Sequence, residues 1–215
     1  MKAIFRVLFI SLLAYSNAHA DWVVVQKSTT DGQTSESTLQ IKGDQTRMDQ
    51  GKEMSVIANS TAGTSVMLMH AQKVMMKMDA ESVKKLMARA GAALGGNQPA
   101  AAPTATGQKE KVGEYDCEIY TWTGALGTGK FWIAKDFPNF KDLNTAQDNL
   151  MNAMGNPAAA LMPKASDFAG MAVKSELQIM GKTVTSELVS AKQDSVDEAV
   201  FTIPTDYQEM KVPGL

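Results

Sequence analysis

Two consecutive segments, SESTLQIK at residues 35–42 and QTRMDQ at residues 45–50, decide how this sequence folds. In the first segment Leu39 and Ile41 alternate with polar residues, and a Gly-Asp pair separates the two segments. Alternation with a period of two gives a strand one dry and one wet face, and a Gly-Asp pair is typical of a tight turn. The stretch therefore predicts an antiparallel hairpin with one buried face.

The same pattern continues on both sides of this hairpin. Before any helix we expect six strands, near 22–29, 35–42, 45–50, 53–59, 64–70 and 73–78. A helix over 80–94 follows, capped by Asp79, and residues 95–107 form a linker rich in Ala, Pro and Thr that is expected to be mobile. The second half predicts a helix near 141–154 and strands near 109–123, 129–135, 171–180, 182–191 and 199–203.

These elements predict a mostly β fold with two helices, of the α+β class. So many strands curl, so the expected architecture is a curved antiparallel sheet or unclosed half-barrel of about ten strands, with the helices as a lid on its concave face. The chain has 215 residues, 44% of them hydrophobic and 20% charged, which fits a single domain over residues 21–215 and excludes a disordered or multispanning chain. The net charge of −2 lacks the basic excess of a nucleic-acid-binding protein.

The first twenty residues have the features of a secretory signal peptide. Lys2 and Arg6 precede an apolar run, and Ala18-His19-Ala20 supplies the small residues expected before a cleavage site. We expect cleavage between Ala20 and Asp21, no integral membrane span after it, and a periplasmic or secreted protein. Cys117 is the only cysteine, so no intramolecular disulfide can form, and strand alternation predicts that it is a small buried hydrophobe.

No motif in the sequence predicts catalysis or a cofactor. Residues 124–130, GALGTGK, match the spacing of a phosphate-binding loop, but Phe131 stands where that loop needs Ser or Thr and a strand follows instead of a helix. We interpret the segment as a hairpin turn. His70 is the only histidine after the expected cleavage site, and no GxSxG surrounds a serine, so neither a zinc site nor a serine triad is predicted.

Methionine is the unusual feature, with 15 residues and a cluster at Met67, Met69, Met75, Met76 and Met78. Three interpretations stay open. The methionines form a packed core of strands that are covered on both faces, they line a cavity for an apolar ligand, or they bind Cu(I), which soft thioethers prefer. Alternation places His70 on the face opposite Met67 and Met69, which weighs against a copper site that uses His70.

The order of elements resembles the lipoprotein-carrier superfamily of the LolA, LolB and RseB type. The residues that carry this resemblance are the stretch from Leu39 to Asp49, the strand pair 55–58 and 66–69, and the ending VDEAVFTIP at 196–204. More narrowly, EKVGEYDC at 110–117 with FWIAKD at 131–136 is similar to the bacterial domain-of-unknown-function family 4412. The resemblance implies an unclosed barrel whose concave apolar face receives acyl chains or other lipids. A lid-holding arginine of the carrier would correspond to Arg47, which alternation places on the polar face.

The sequence thus supports a binding protein that holds a lipid or acyl chain between a curved sheet and a lid helix. The partners expected are a lipid, an acyl chain or a lipoprotein, or another envelope protein if the interior is fully packed. The candidate lining residues are Leu39, Ile41, Met48, Met67, Met69, Met76, Leu86 and Met87.

Overall fold

The computed structural model describes residues 21–93 and 101–210, which form one twelve-stranded sheet, two α-helices and three short 3-10 helices. The first meander comprises β1 (Trp22–Thr30), β2 (Gln33–Lys42), β3 (Gln45–Gln50), β4 (Met54–Asn59), β5 (Thr64–Met69) and β6 (Val74–Asp79). Helix α1 (Ala80–Ala93) leads to β7 (Thr104–Val112), β8 (Tyr115–Gly124) and β9 (Gly127–Ala134). Helix α2 (Phe140–Ala153) and 3-10 helices at Pro157–Leu161 and Ala165–Asp167 precede β10 (Met171–Ile179) and β11 (Lys182–Gln193). The chain then forms a 3-10 helix at Glu198–Phe201 and the two-residue strand β12 (Gln208–Glu209).

The strand order is β12-β6-β5-β4-β3-β2-β1-β11-β10-β9-β8-β7, so within the described residues β12 and β7 form the two edges of the sheet. Strand β12 runs parallel to β6, and the other neighbours are antiparallel. Two meanders are therefore joined where β1 pairs with β11. The predicted fold class, a large unclosed antiparallel sheet with helices, is confirmed.

The structure differs from the predicted elements in three places. The segment predicted as one strand over 109–123 is a hairpin, because Gly113 takes a φ of 56° and turns the chain between β7 and β8. The strand predicted near 199–203 is wrong: Asp197 accepts a hydrogen bond from the backbone N–H of Ala199, and this cap starts a 3-10 helix. Strand β7 begins inside the predicted linker 95–107, of which residues 95–100 lie outside the described residues, as does the predicted signal peptide 1–20.

The segment 124–130 forms the predicted hairpin turn between β8 and β9. Gly124 pairs with Gly127, and the strand continues through Phe131 without a helix. A Cβ at Gly127, which has a φ of 151°, would collide with the carbonyl oxygen of Gln178 on the neighbouring strand. Glycine is required here for strand packing rather than for phosphate binding.

The face of the sheet that carries α2 is called the helix side below. Leu143 and Leu150 of α2 are each only 2% exposed. Leu143 packs in a cluster with Trp22, Val24 and Ile41, and Leu150 packs on the central strands of the first meander. Because these leucines recur at helical spacing, the amphipathic pattern of α2 directly determines which face of the helix meets the sheet.

The opposite face of β3 to β6 is covered by residues 194–210, called the C-terminal strap, and is named the strap side. Five buried apolar residues form its core: Ile57, Val66, Leu68, Val196 and Phe201. The strap is also held by main-chain bonds, since the N–H groups of Gln208 and Met210 donate to carbonyl oxygens of β6 or the residue before it. Strands β4 and β5 thus contact other parts of the chain on both faces, fully on the strap side and in part on the helix side, which fits their apolar residues on both faces.

None of the helices in residues 21–93 and 101–210 is both long enough and apolar enough to cross a lipid bilayer.

Candidate functional site

Six methionines from four adjacent strands share the helix side of the sheet. Met48 pairs with Val56, which pairs with Met67, which pairs with Met76; on the same face, Met54 pairs with Met69 and Ser65 with Met78. Directly paired residues point to one face of a sheet, as do residues two apart along a strand. We call this surface the methionine face: Met48, Met54, Met67, Met69, Met76 and Met78.

The helix side of strands β3 to β6 carries no charged side chain around the methionine face. The remaining helix-side positions of β3 to β6 are Thr46, Gln50, Val56, Ala58, Ser65 and Val74. The charged residues of these four strands, such as Arg47, Asp49 and Lys77, alternate onto the strap side. The helix side of this region is therefore apolar with a few neutral polar groups.

The C-terminal end of α2 lies on the methionine face. Leu150 packs with the buried Val56 and Ala58, and the half-buried Met48, Met54 and Met67 join the same cluster beside Ala153 and Met154. Ser65 Oγ donates a 2.7 Å hydrogen bond to the carbonyl oxygen of Ala153. This bond satisfies one of the carbonyl groups that a helix C-terminus leaves without a partner, and it fixes the helix end over the sheet.

Helix α1 covers one edge of the methionine face. Gly155, which follows α2 with a φ of 61°, has Leu86 Cδ2, Met78 Sδ and Val83 Cγ2 around the position that a Cβ would occupy. Met78 is consequently buried, whereas the other five methionines are only half-buried. The chain's own helices thus cover the methionine face incompletely.

Most of the predicted lining residues come together in the structure. Leu39 pairs with Met48 and Ile41 with Thr46, so these two residues share the helix side with Met48, Met67, Met69 and Met76. Leu86 lies near Met78, and Met87 is half-buried on α1. Their role in binding stays a prediction. The set omitted Met54 and Met78, which the period-two patterns of β4 and β6 could have identified.

Two clefts flank α2, and sequence reasoning missed both. One, of about 580 Å³, lies between α2, the segment 159–168 and strands β9 to β11; its apolar lining includes Phe131, Met151, Met162, Phe168, Leu177 and Leu188. The other, of about 710 Å³, is lined by Ile41, Thr46 and Asn149 among others. Only Ile41 of the predicted lining residues contributes to either cleft. The first cleft depends on two 3-10 helices whose sequence has no periodicity to reveal them.

On the strap side, a hydrogen-bond network surrounds Arg47. Its Nε donates to both oxygens of Asp49, at 2.8 and 3.0 Å, and its Nη1 donates to the carbonyl oxygen of Val200 at 2.6 Å. Its Nη2 lies 3.0 Å from Ser55 Oγ. Arg47 therefore lies on the polar face, as alternation predicts, and there it binds the strap rather than a helical lid.

The network continues through a serine and a histidine. Ser55 Oγ donates to Asp49 Oδ1 at 2.5 Å and lies 2.7 Å from His70 Nε2, and His70 Nδ1 lies 2.5 Å from the hydroxyl of Tyr207. Because the single Ser55 proton goes to Asp49, we assign His70 Nε2 as the donor in the bond to Ser55. His70 Nδ1 then accepts a hydrogen bond from the Tyr207 hydroxyl. The protons then run in one direction, from Tyr207 through His70 and Ser55 to Asp49.

This serine and histidine are not arranged as a nucleophile and its base. Ser55 is 0% exposed, and its proton points away from the histidine that would have to remove it. His70 lies on the strap side, opposite Met67 and Met69, as alternation predicts. The Cys117 thiol is buried as predicted, and burial raises its pKa, which makes it a poor nucleophile. Among residues 21–93 and 101–210, no three His, Cys, Asp or Glu side chains are grouped to hold a metal ion.

The chain belongs to the family described as Domain of unknown function (DUF4412), whose model matches residues 23–207. The family expected from residues 110–136 is thus confirmed. A comparison with curated proteins found no significant match.

Solved structures with a similar fold share little sequence with this chain. An uncharacterized conserved protein from Thermus thermophilus matches with a TM-score of 0.54 and 9% identity, over 90% of this chain and 91% of that one. The MucA/MucB complex of Pseudomonas aeruginosa matches at 0.49 and 11% identity, over 91% of this chain and 59% of that one. A LolA superfamily protein from Nitrosomonas europaea matches at 0.34 and 10% identity, over 87% and 92%. The unclosed sheet with helices is the architecture that the sequence predicts.

Proposed function

We propose that this protein binds an apolar ligand, a lipid or an acyl chain, on the methionine face beside α1 and the C-terminal end of α2. One observation carries the proposal: five methionines on one uncharged face stay half-buried although two helices of the same chain lie beside them. Water-exposed apolar surface of this kind favours a ligand that covers it. Flexible, polarizable thioethers suit ligands of varied shape, such as acyl chains.

The first cleft beside α2 supports the same proposal. Its volume of about 580 Å³ falls within the range usual for small-molecule sites, and aromatic and aliphatic side chains line much of it. Met151 lines this cleft from the last turn of α2, and the same end of the helix meets the methionine face. An acyl chain on the methionine face could therefore extend along α2 into the cleft.

The predicted signal peptide, residues 1–20, supports a proposal about where the protein binds its ligand. A protein exported through such a leader would meet its ligand in the periplasm or outside the cell. The expected N-terminal residue of the exported form is Asp21, which N-terminal sequencing of the purified protein would check.

A protein partner is the second candidate. Met180 at the tip of the β10–β11 hairpin is 83% exposed and has a φ of 52°, a conformation that Asn or Asp adopts more readily than Met. A protein partner that binds at this end of the sheet would cover this side chain. Under this candidate the methionine face would be core that no ligand enters.

Native mass spectrometry of the protein purified without detergent, followed by solvent extraction, tests the first proposal. We expect a lipid or acylated species to dissociate from the protein, and a fluorescent fatty-acid probe to bind a separate sample of the folded protein. A clean protein mass together with no probe uptake would overturn the proposal and favour the protein partner.

Two substitutions locate the site. Met69→Glu places a charge on the methionine face and should abolish probe binding, because an unpaired charge beside an acyl chain is strongly unfavourable. Met180→Glu is the matched control and should leave binding unchanged. Thermal melts of both variants separate loss of binding from loss of folding, and unchanged affinity in a folded Met69→Glu protein would move the site away from this face.

A further inference from the structure

The methionine face has a second chemical capacity that does not depend on apolar ligands. We propose that it binds a soft monovalent metal ion, Cu(I) or its analogue Ag(I), through the thioether sulfurs of Met54, Met67, Met69 and Met76. These four residues come from three adjacent strands of the sheet. His70 takes no part in the site, because its ring is bonded to Ser55 and Tyr207 on the strap side.

The register brings the four side chains together in two cross-strand pairs. Met54 lies directly opposite Met69, and Met67 lies directly opposite Met76. Directly opposed residues have Cβ atoms about 4.5–5.5 Å apart, and Met67 and Met69 are neighbours on the same face of β5, about 7 Å apart. Methionine has three rotatable bonds beyond Cα, so several sulfurs from such a group can turn towards one ion without moving the backbone.

The composition of the face selects the metal. Thioethers are soft ligands that favour Cu(I), whereas Zn²⁺, Mg²⁺ and Ca²⁺ require imidazole, thiolate or carboxylate groups. The helix-side positions of β3 to β6 include no carboxylate, imidazole or thiol. A cluster of neutral sulfurs without hard ligands discriminates against the divalent ions that are commoner in cells.

The end of α2 supplies a favourable field for a cation. The C-terminus of a helix carries about half a negative charge, and α2 has no basic residue in its last turn to neutralise it. This helix end packs on Met54 and Met67 through the cluster that includes Leu150, Ala153 and Met154. A monovalent ion among the thioethers would therefore lie near the negative end of the helix, while the half-buried methionines leave a path for its entry.

Titration with silver nitrate in chloride-free buffer, followed by calorimetry and by NMR of the methionine methyl groups, tests the site. A Cys117→Ala background removes the one thiol, which would otherwise compete for the ion. We expect one ion per chain and shifts of the methyl signals of the four methionines. Anaerobic titration with Cu(I) under reducing conditions should show the same site.

The double variant Met67→Leu with Met69→Leu keeps the face apolar and removes two sulfurs. It should weaken Ag(I) binding by about tenfold or more, because the ion loses two of its soft ligands. Met75→Leu is the matched control: Met75 lies next to Met76 on β6 but packs on the strap side, so the affinity should not change. Met76→Leu serves as a second variant if the double variant does not fold.

The fatty-acid probe distinguishes this proposal from the one on apolar ligands. Leucine preserves apolar surface, so the double variant should still bind the probe while it loses the metal. No methionine methyl shift with Ag(I), or equal Ag(I) affinity of the double variant and Met75→Leu, would overturn the metal site and leave the apolar-ligand proposal standing. Ag(I) binding without probe uptake would overturn the apolar-ligand proposal and leave the metal site standing.

Discussion

The two faces of strands β3 to β6 bury their side chains in different ways. On the strap side, Leu68 is 0% exposed and the polar groups of Arg47, Ser55 and His70 are paired in one network. On the helix side, Met67, the neighbour of Leu68 in the chain, stays half-buried and belongs to an uncharged face. At this pair the strand therefore meets a closed surface on one face and a partly open one on the other, although Val56 on the helix side is also 0% exposed. The strap side holds the strap in place, and the half-buried methionines of the helix side form the surface on which we propose that a ligand binds.

The largest effect on the free energy of unfolding should come from truncating one side chain on each of the two faces. Leu68→Ala should lower the free energy of unfolding by about 2–5 kcal/mol, because a fully buried leucine leaves a cavity when it is truncated. Met67→Ala should cost about 1–2 kcal/mol, because part of its surface already contacts water. Urea denaturation of the two variants measures the difference. Equal losses would mean that the helix side is as tightly packed as the strap side.

The next largest effect should come from the polar network. Ser55→Ala removes the hydroxyl that donates to Asp49 and accepts from Arg47 and His70, and it should destabilise the fold by about 1–3 kcal/mol. Ser186→Ala, which removes a part-buried hydroxyl bonded to Ser28, is a control with a simpler environment and should cost less. If both variants unfold at the same urea concentration, the network adds nothing beyond a single hydrogen bond.

A smaller effect is expected where the strap ends. Tyr207→Phe removes one hydroxyl, bonded to His70 Nδ1, and keeps the ring that packs at the edge of the strap-side core. We expect a loss of about 1 kcal/mol and faster proteolysis within the strap. Limited proteolysis at constant temperature, with fragment masses, would show whether the cleavage sites concentrate in residues 194–210. Cleavage that begins elsewhere would show that the strap is not the part that opens first.

The smallest effect concerns α1 and depends on pH. Asp79 accepts a 2.7 Å hydrogen bond from the backbone N–H of Ser82, and this bond lowers the pKa of Asp79 below its ordinary 3.8. Because the pKa of Asp79 is lower in the folded than in the unfolded protein, its ionised form stabilises the fold at pH values above the pKa of the unfolded state. This contribution is lost as the pH falls through the pKa of the folded state. Asp79→Asn keeps a good cap but cannot titrate. The Tm of the native protein should therefore exceed that of the variant more at pH 6 than at pH 2, and a constant difference would contradict this.

How far the sequence predicted these features depends on how local their causes are. The alternation in residues 35–42 determines a strand and its faces, and Asp79 determines where α1 begins, since both act over a few residues. The same alternation places four of the six methionines of the methionine face, Met48, Met67, Met69 and Met76, among the predicted lining residues, and Met54 and Met78 were missed. The role of Arg47 did not follow from the alternation, because its partner, the carbonyl oxygen of Val200, lies 153 residues away in the chain. Residues 199–203 were mistaken for a strand because the run AVFTI is apolar and rich in β-branched residues, whereas a side-chain cap and packing beside Leu68 determine its shape.

The free edge at β7 has a consequence for how the protein behaves when concentrated. An unpaired strand edge can recruit the edge of another molecule and start aggregation, which natural proteins oppose with charge, irregular register or a cover. Strand β7 is almost wholly exposed, carries Lys109, Glu110 and Lys111, and has a register break between Ala105 and Lys109. At the other edge of the sheet, β12 covers the end of β6. These features oppose pairing with a second copy at both ends of an open sheet that has not closed into a barrel.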